Sequence, residues 1–165
     1  METPDPDPSA GILPLLQLLS FTFHGFDLQA FGTLLVLLVL LAFSGLVSAS
    51  ETAFFSLKPL DLNFLKNQES KTSALILQLR EDHKHLLATI LILNNLINVA
   101  IVIVSAYFMS ALFDFGTNAV LQFVVQVVIT TSIILMFGEI VPKIYANLVP
   151  LRVAGLMARP MRAFI

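Results

Sequence analysis

Residues Phe31–Leu57 read FGTLLVLLVLLAFSGLVSASETAFFSL, with no charge before Glu51 and almost no polar side chain before Ser44. A helix rises about 1.5 Å per residue, so roughly 20 such residues cross the hydrocarbon layer of a bilayer. Two further stretches meet that condition: Leu86–Phe113 (LLATILILNNLINVAIVIVSAYFMSALF) and Asn118–Phe137 (NAVLQFVVQVVITTSIILMF). Backbone N–H and C=O groups find no partners in lipid, so only helices or closed barrels span it. The ten-residue alternating segments of a barrel do not occur. The expected fold is an all-α membrane protein with three transmembrane helices.

Composition agrees. The chain is 57% hydrophobic and 12% charged, with a mean hydropathy of +0.89, against about 45–50% apolar and 25% charged in soluble domains. The lack of Cys excludes a disulfide framework or a thiolate metal site. The net charge of −2 says less than its distribution. Lys58, Lys66, Lys71, Arg80 and Lys84 lie between the first and second spans, and Lys143, Arg152, Arg159 and Arg162 follow the third. Residues 1–30 and the Asp114-Phe115-Gly116-Thr117 turn have none. The positive-inside rule makes the basic side cytoplasmic. The chain is therefore expected in the cell (inner) membrane, multi-pass, with its N terminus outside and its C terminus cytoplasmic. The lipid bilayer is an expected partner and nucleic acid is not.

Three domains are expected. Residues 1–30 form an extracellular or periplasmic segment with an acidic Pro-rich head and an apolar patch too short to cross, read as interfacial or re-entrant. It has no basic leading region, which argues against a signal peptide, and His24 reads as an interfacial polar tip. Residues 31–143 form the three-span domain. Its cytoplasmic connection holds two short helices, since Leu60, Phe64, Leu65 and then Leu75, Ile76, Leu79 recur at helical spacing. His83 and His85 would point to different faces of a helix, so a solvated loop is expected there rather than a metal site. Pro142 should break or sharply kink the chain at GEIVP. Residues 144–165 read as a juxtamembrane amphipathic helix, and the pattern stops as if a soluble portion followed.

Polar residues inside the spans carry the functional signal. Ser44, Ser48 and Glu51 share one helical face, as do Asn94 and Asn98, with Asn95 adjacent. Ser48 and Asn94 each fall roughly 12–15 Å from the inner end of their spans, and Glu139 enters near that side. Two hydroxyls, a carboxamide oxygen, a carboxylate and carbonyls freed by Pro142 form an oxygen set suited to a hard divalent cation such as Mg2+. Each residue also has a structural reading. Small residues let spans pack closely, Asn bonds across helices, and an acid at a span's end pairs with Lys143 or meets water. Glu51 could be a supporting group, a carboxylate that admits the ion, or a partner of Lys58 or Lys143.

SGLVSASETAFFSL, LNNLIN and FGEIVPK, in that order, resemble the transmembrane module of the CorC/CNNM (cyclin M) magnesium transporters from about Phe31 onward. The resemblance implies a homodimer with three spans per protomer, a juxtamembrane belt and a Mg2+ site open to the cytoplasm. The implied ligands are Ser44, Ser48, Asn94, the Gly138 backbone and Glu139. It further implies Mg2+ export driven by Na+, with soluble CBS domains that are absent here. Sodium ligands would come from Ser50, Glu51, Asn95 and Asn98. The expected function is Na+-coupled Mg2+ export by alternating access; the alternative is a Mg2+-sensing or regulatory anchor that moves no ions. The sequence has no HExxH, no GxSxG and no intramembrane aspartate pair, so no enzyme is expected.

Overall fold

The first span is a helix because nothing in it argues otherwise and both ends carry signals. In the computed structural model, which describes residues 22–23, 25–114 and 119–165, α1 runs Leu28–Ser56. The Asp27 carboxylate caps it by accepting from the Ala30 N–H at 2.7 Å. Its exit is set by Pro59, which disfavours a helical Lys58 and leaves Leu57 and Lys58 extended. Helix α2 (Pro59–Asn67) then starts with proline in its first turn, and Asp61 accepts from the Lys58 N–H at 2.9 Å. Helix α3 (Lys71–Glu81) is capped by Ser70, whose hydroxyl accepts from Thr72 N–H. These are the two short connecting helices that the leucine spacing predicted.

The second span, α4, is His83–Leu112. The loop expected around the histidines is instead its first turn. His83 and His85 are exposed, and His85 Nδ1 lies 2.6 Å from Asp82 Oδ1. The end of α4 away from the basic connections carries a contact that helical periodicity cannot reveal: β1 (Thr22–Phe23) pairs antiparallel with β2 (Phe113–Asp114). Most of the expected interfacial segment, including His24, lies outside the described residues, as do Phe115, Gly116 and Thr117 of the turn.

The third span departs from expectation where it matters most. Helix α5 (Ala119–Ile133) passes directly into a π-helix, Ile134–Ile140, and then into α6, Val141–Leu148. Of the break or kink expected at GEIVP, the break does not occur, and the distortion there is a π-helical turn. An α-helical ladder would press the Pro142 ring against the carbonyl of Gly138. The wider i→i+5 turn of a π-helix relieves that clash, and Val141 N–H donates to Met136 C=O in this register. The chain turns instead at Val149, directly before Pro150, and α7 (Pro150–Phe164) follows. The third helical run therefore reaches Leu148, and the amphipathic helix that follows it begins at Pro150.

Packing is concentrated at the basic end. Val47, Ala49, Ala53 and Phe54 of α1 meet Leu65, Ile76, Leu79, Leu86, Ile90 and Ala146, and α7 lays Val153, Ala154, Met157, Ala158 and Met161 onto them. Those α7 positions recur at three and four, the stripe of an amphipathic helix. Arg162 also hydrogen-bonds Gln78, tying α7 to α3. Lipid gives no hydrophobic drive for helix association, whereas water does. A core is thus expected where the short helices leave the membrane, and the rest of the spans present exposed apolar side chains such as Leu35, Leu38, Ile92, Ile103, Phe123 and Val128.

Candidate metal centre

On α1, Ser44, Gly45, Ser48, Ala49 and Ala53 form a buried small-residue face, and small residues let helix backbones approach closely. The π-helix exploits this. A Cβ added at Gly45 would sit 3.0 Å from Pro142 Cγ and 3.3 Å from the Phe137 carbonyl oxygen. One added at Gly138 would sit 2.9 Å from Ser44 Oγ. Glycine on each side is what brings Glu139 against the serine face.

Ser44 and Ser48 are both fully buried. Ser44 Oγ donates to Asn98 Oδ1 at 2.9 Å, and Asn98 Nδ2 donates to Glu139 Oε1 at 3.4 Å. One residue from each span thus joins a single polar chain. Helices α1 and α4 run antiparallel, so one turn toward the basic end on both brings Ser48 opposite Asn94. There Ser48 Oγ and Asn94 Oδ1 are buried and have no hydrogen-bond partner. Buried polar atoms are nearly always paired; Ser56 Oγ and Arg80 Nη1 share this state, but Ser48 and Asn94 stand one helical turn from the Ser44–Asn98–Glu139 chain on the same two helices.

The other expected residues divide clearly. Glu51 pairs with Lys143, Oε2 to Nζ at 3.0 Å, each side chain about a third exposed. The Ser50 hydroxyl is buried but donates to Leu46 C=O of its own helix at 2.8 Å. Asn95 is exposed. Among the described residues, no group of three or more His, Cys, Asp or Glu could hold a metal ion. A cation here would rest on hydroxyl, carboxamide and carbonyl oxygens with one acid, a set for hard ions.

The family resemblance made Asn94 a Mg2+ ligand and left Asn98 among the Na+ candidates, yet Asn98 bridges the serine face to the acid. The signal was the four-residue separation that puts both on one face. A second polar contact had no clear sequence signal: Thr130 Oγ1 donates to Ser105 Oγ at 2.9 Å, and Ser105 Oγ donates to Val102 C=O at 2.8 Å. That pair lines a groove of about 340 Å³ between the halves of the spans away from the basic end, otherwise walled by residues such as Leu37, Leu41, Ile101, Ile133 and Phe137.

Comparison with known proteins bears on this arrangement. The family model described as the cyclin M transmembrane N-terminal domain matches residues 35–165. A UPF0053 protein of Mycoplasma genitalium is 37% identical over 126 residues, which cover 73% of this chain and 29% of that protein. The chain therefore spans less than a third of this relative's length.

Proposed function

The chain belongs to the cyclin M transmembrane-domain family, and from that premise we propose that it binds Mg2+ inside the membrane and exports it from the cytoplasm in exchange for Na+. The ligands are the side chains of Ser44, Ser48, Asn94 and Glu139 and the backbone of Gly138. The observation that carries this reading is the pair of buried, unpartnered oxygens, Ser48 Oγ and Asn94 Oδ1, on facing spans. The hydroxyls of Ser50, Ser105 and Thr130, by contrast, are bonded within or between helices, and the orphan Ser56 Oγ lies two turns further along α1 from Ser48. Two orphan oxygens one helical turn from the chain that ends on the Glu139 carboxylate suit a small dication that exchanges its water for a rigid oxygen shell.

Transport then runs by alternating access. Mg2+ reaches the site from the basic end, taken as cytoplasmic by the positive-inside rule, and leaves when the spans re-pack. Of the candidate Na+ ligands Ser50, Glu51, Asn95 and Asn98, only Glu51 is charged, and its partner Lys143 ties it to the helix that carries Glu139. The exposed apolar faces of the spans would lie against lipid and against a second copy in a homodimer.

The test is Mg2+ movement from loaded vesicles containing the purified chain, with and without a Na+ gradient. Glu139→Ala should abolish both binding and flux, because no second acid stands in the site. Normal flux in that variant would overturn the ligand assignment, and flux indifferent to Na+ would overturn the coupling. Mg2+ binding without flux would make the chain a Mg2+-sensing anchor instead.

A further inference from the structure

Resting on the Mg2+ reading above, we propose that Asn98 is the positioning residue of the cation site: its carboxamide aims Ser44 and Glu139 at the ion without ligating it. The two asparagines stand one turn apart on one face of α4, in different states. Asn94 Oδ1 is buried and unpartnered. Asn98 uses both ends of its amide, accepting from Ser44 Oγ at 2.9 Å and donating to Glu139 Oε1 at 3.4 Å.

The direction of this chain follows from the acid. An ionised carboxylate only accepts, so the amide nitrogen must face it. The amide oxygen then faces Ser44, which must donate. A serine hydroxyl has one proton and two lone pairs. With the proton committed to Asn98, only lone pairs remain for the rest of the pocket. A hydroxyl that ligates a cation turns its proton away from the ion, and where that proton finds no acceptor, as at Ser48, the buried donor carries a desolvation cost that Ser44 escapes. Ser50 sends its proton to its own helix, at Leu46 C=O. Ser44 sends it across to α4, and the close approach of Gly138 confines the hydroxyl there. On the acid, Oε1 is engaged by Asn98, which leaves Oε2 for the ion.

The test is Mg2+ titration calorimetry on the intact chain in lipid nanodiscs, arranged as double-mutant cycles. Asn98→Leu should weaken Mg2+ binding by about tenfold, the scale of one hydrogen bond. Ser44→Ala should weaken binding in the parent but cost less than about twofold in the Asn98→Leu background, because the serine is already misdirected there. Ser48→Ala should cost the same factor in both backgrounds. Asn98→Asp keeps an acceptor for Ser44, and in that background Ser44→Ala should regain its cost. A general packing role would give no such selectivity. Additive effects of Ser44→Ala and Asn98→Leu, or near-parental binding by Asn98→Leu, overturn the positioning role. The site itself then still stands if Glu139→Ala loses Mg2+, and falls if that variant binds normally. If Asn98→Leu lacks a cooperative thermal transition, Asn98→Ala takes its place in the cycle.

Discussion

Ser48 and Ser50 are two residues apart, both fully buried, and differently bound. The Ser50 hydroxyl is satisfied by Leu46 C=O, and the Ser48 hydroxyl by nothing in the protein. An unsatisfied buried hydroxyl costs about 1–3 kcal/mol, so Ser48→Ala should raise the unfolding temperature in Mg2+-free solution. The same variant should gain less stability from added Mg2+ than the parent, since binding to the folded state stabilises by mass action. Thermal unfolding in detergent with and without Mg2+ reads both effects, and a Mg2+-free loss of stability would show that the hydroxyl has a structural partner. At this scale the sequence was partly legible. Four-residue spacing puts Ser44 with Ser48 and Asn94 with Asn98, because helix periodicity is local. Which carboxamide is free and which is engaged depends on the register between α1 and α4 and on where a third helix delivers Glu139. Glu51 posed the same difficulty: Lys58 and Lys143 were both open to it, and the approach of the third span to α1 selects Lys143.

At the level of elements, the decisive object is the π-helix before Pro142. It keeps the third span continuous, holds Gly138 against Ser44 and places Glu139 within reach of Asn98. The contact depends on a missing side chain on α1. Gly45→Ala would put a methyl 3.0 Å from the Pro142 ring, and neither partner can rotate away. Helix propensity favours alanine by about 1 kcal/mol, but overpacking a rigid contact costs about 1–3 kcal/mol. We therefore expect a net loss of stability, with Mg2+ affinity falling as the π-helix is pushed off the serine face. Unfolding temperature and Mg2+ titration of Gly45→Ala check this, and unchanged values in both would mean the helices separate freely. The three spans and the two short connecting helices were legible because apolar length and periodicity decide them. The continuity through GEIVP was not, because the rule that proline breaks a helix assumes an α-ladder, and the chain adopted a wider one. Pro150 obeyed that rule, with Val149 as the turn.

At the scale of the molecule, the two ends of the bundle differ in packing as well as charge. The basic end gathers α2, α3 and α7 around the spans in one apolar core. The opposite halves leave the groove of about 340 Å³, whose hydroxyls, Ser105 and Thr130, bond to each other. The polar layer lies between the two, so an ion held there meets an apolar lining on one side and the Glu51–Lys143 pair on the other. Passage across that lining requires the spans to re-pack, since an unpaired charge in an apolar interior is prohibitively costly. The direction of that passage rests on orientation, for which the placement of every Lys and Arg is the argument. Because the chain has no Cys, single cysteines report orientation without background. Leu28, 86% exposed beside the capping Asp27, marks one end, and exposed Lys71 in the basic connection marks the other. In intact cells a membrane-impermeant thiol reagent should label Leu28→Cys and not Lys71→Cys, with both labelled after permeabilisation. The reverse pattern would invert the topology and with it the side from which the cation approaches Glu139.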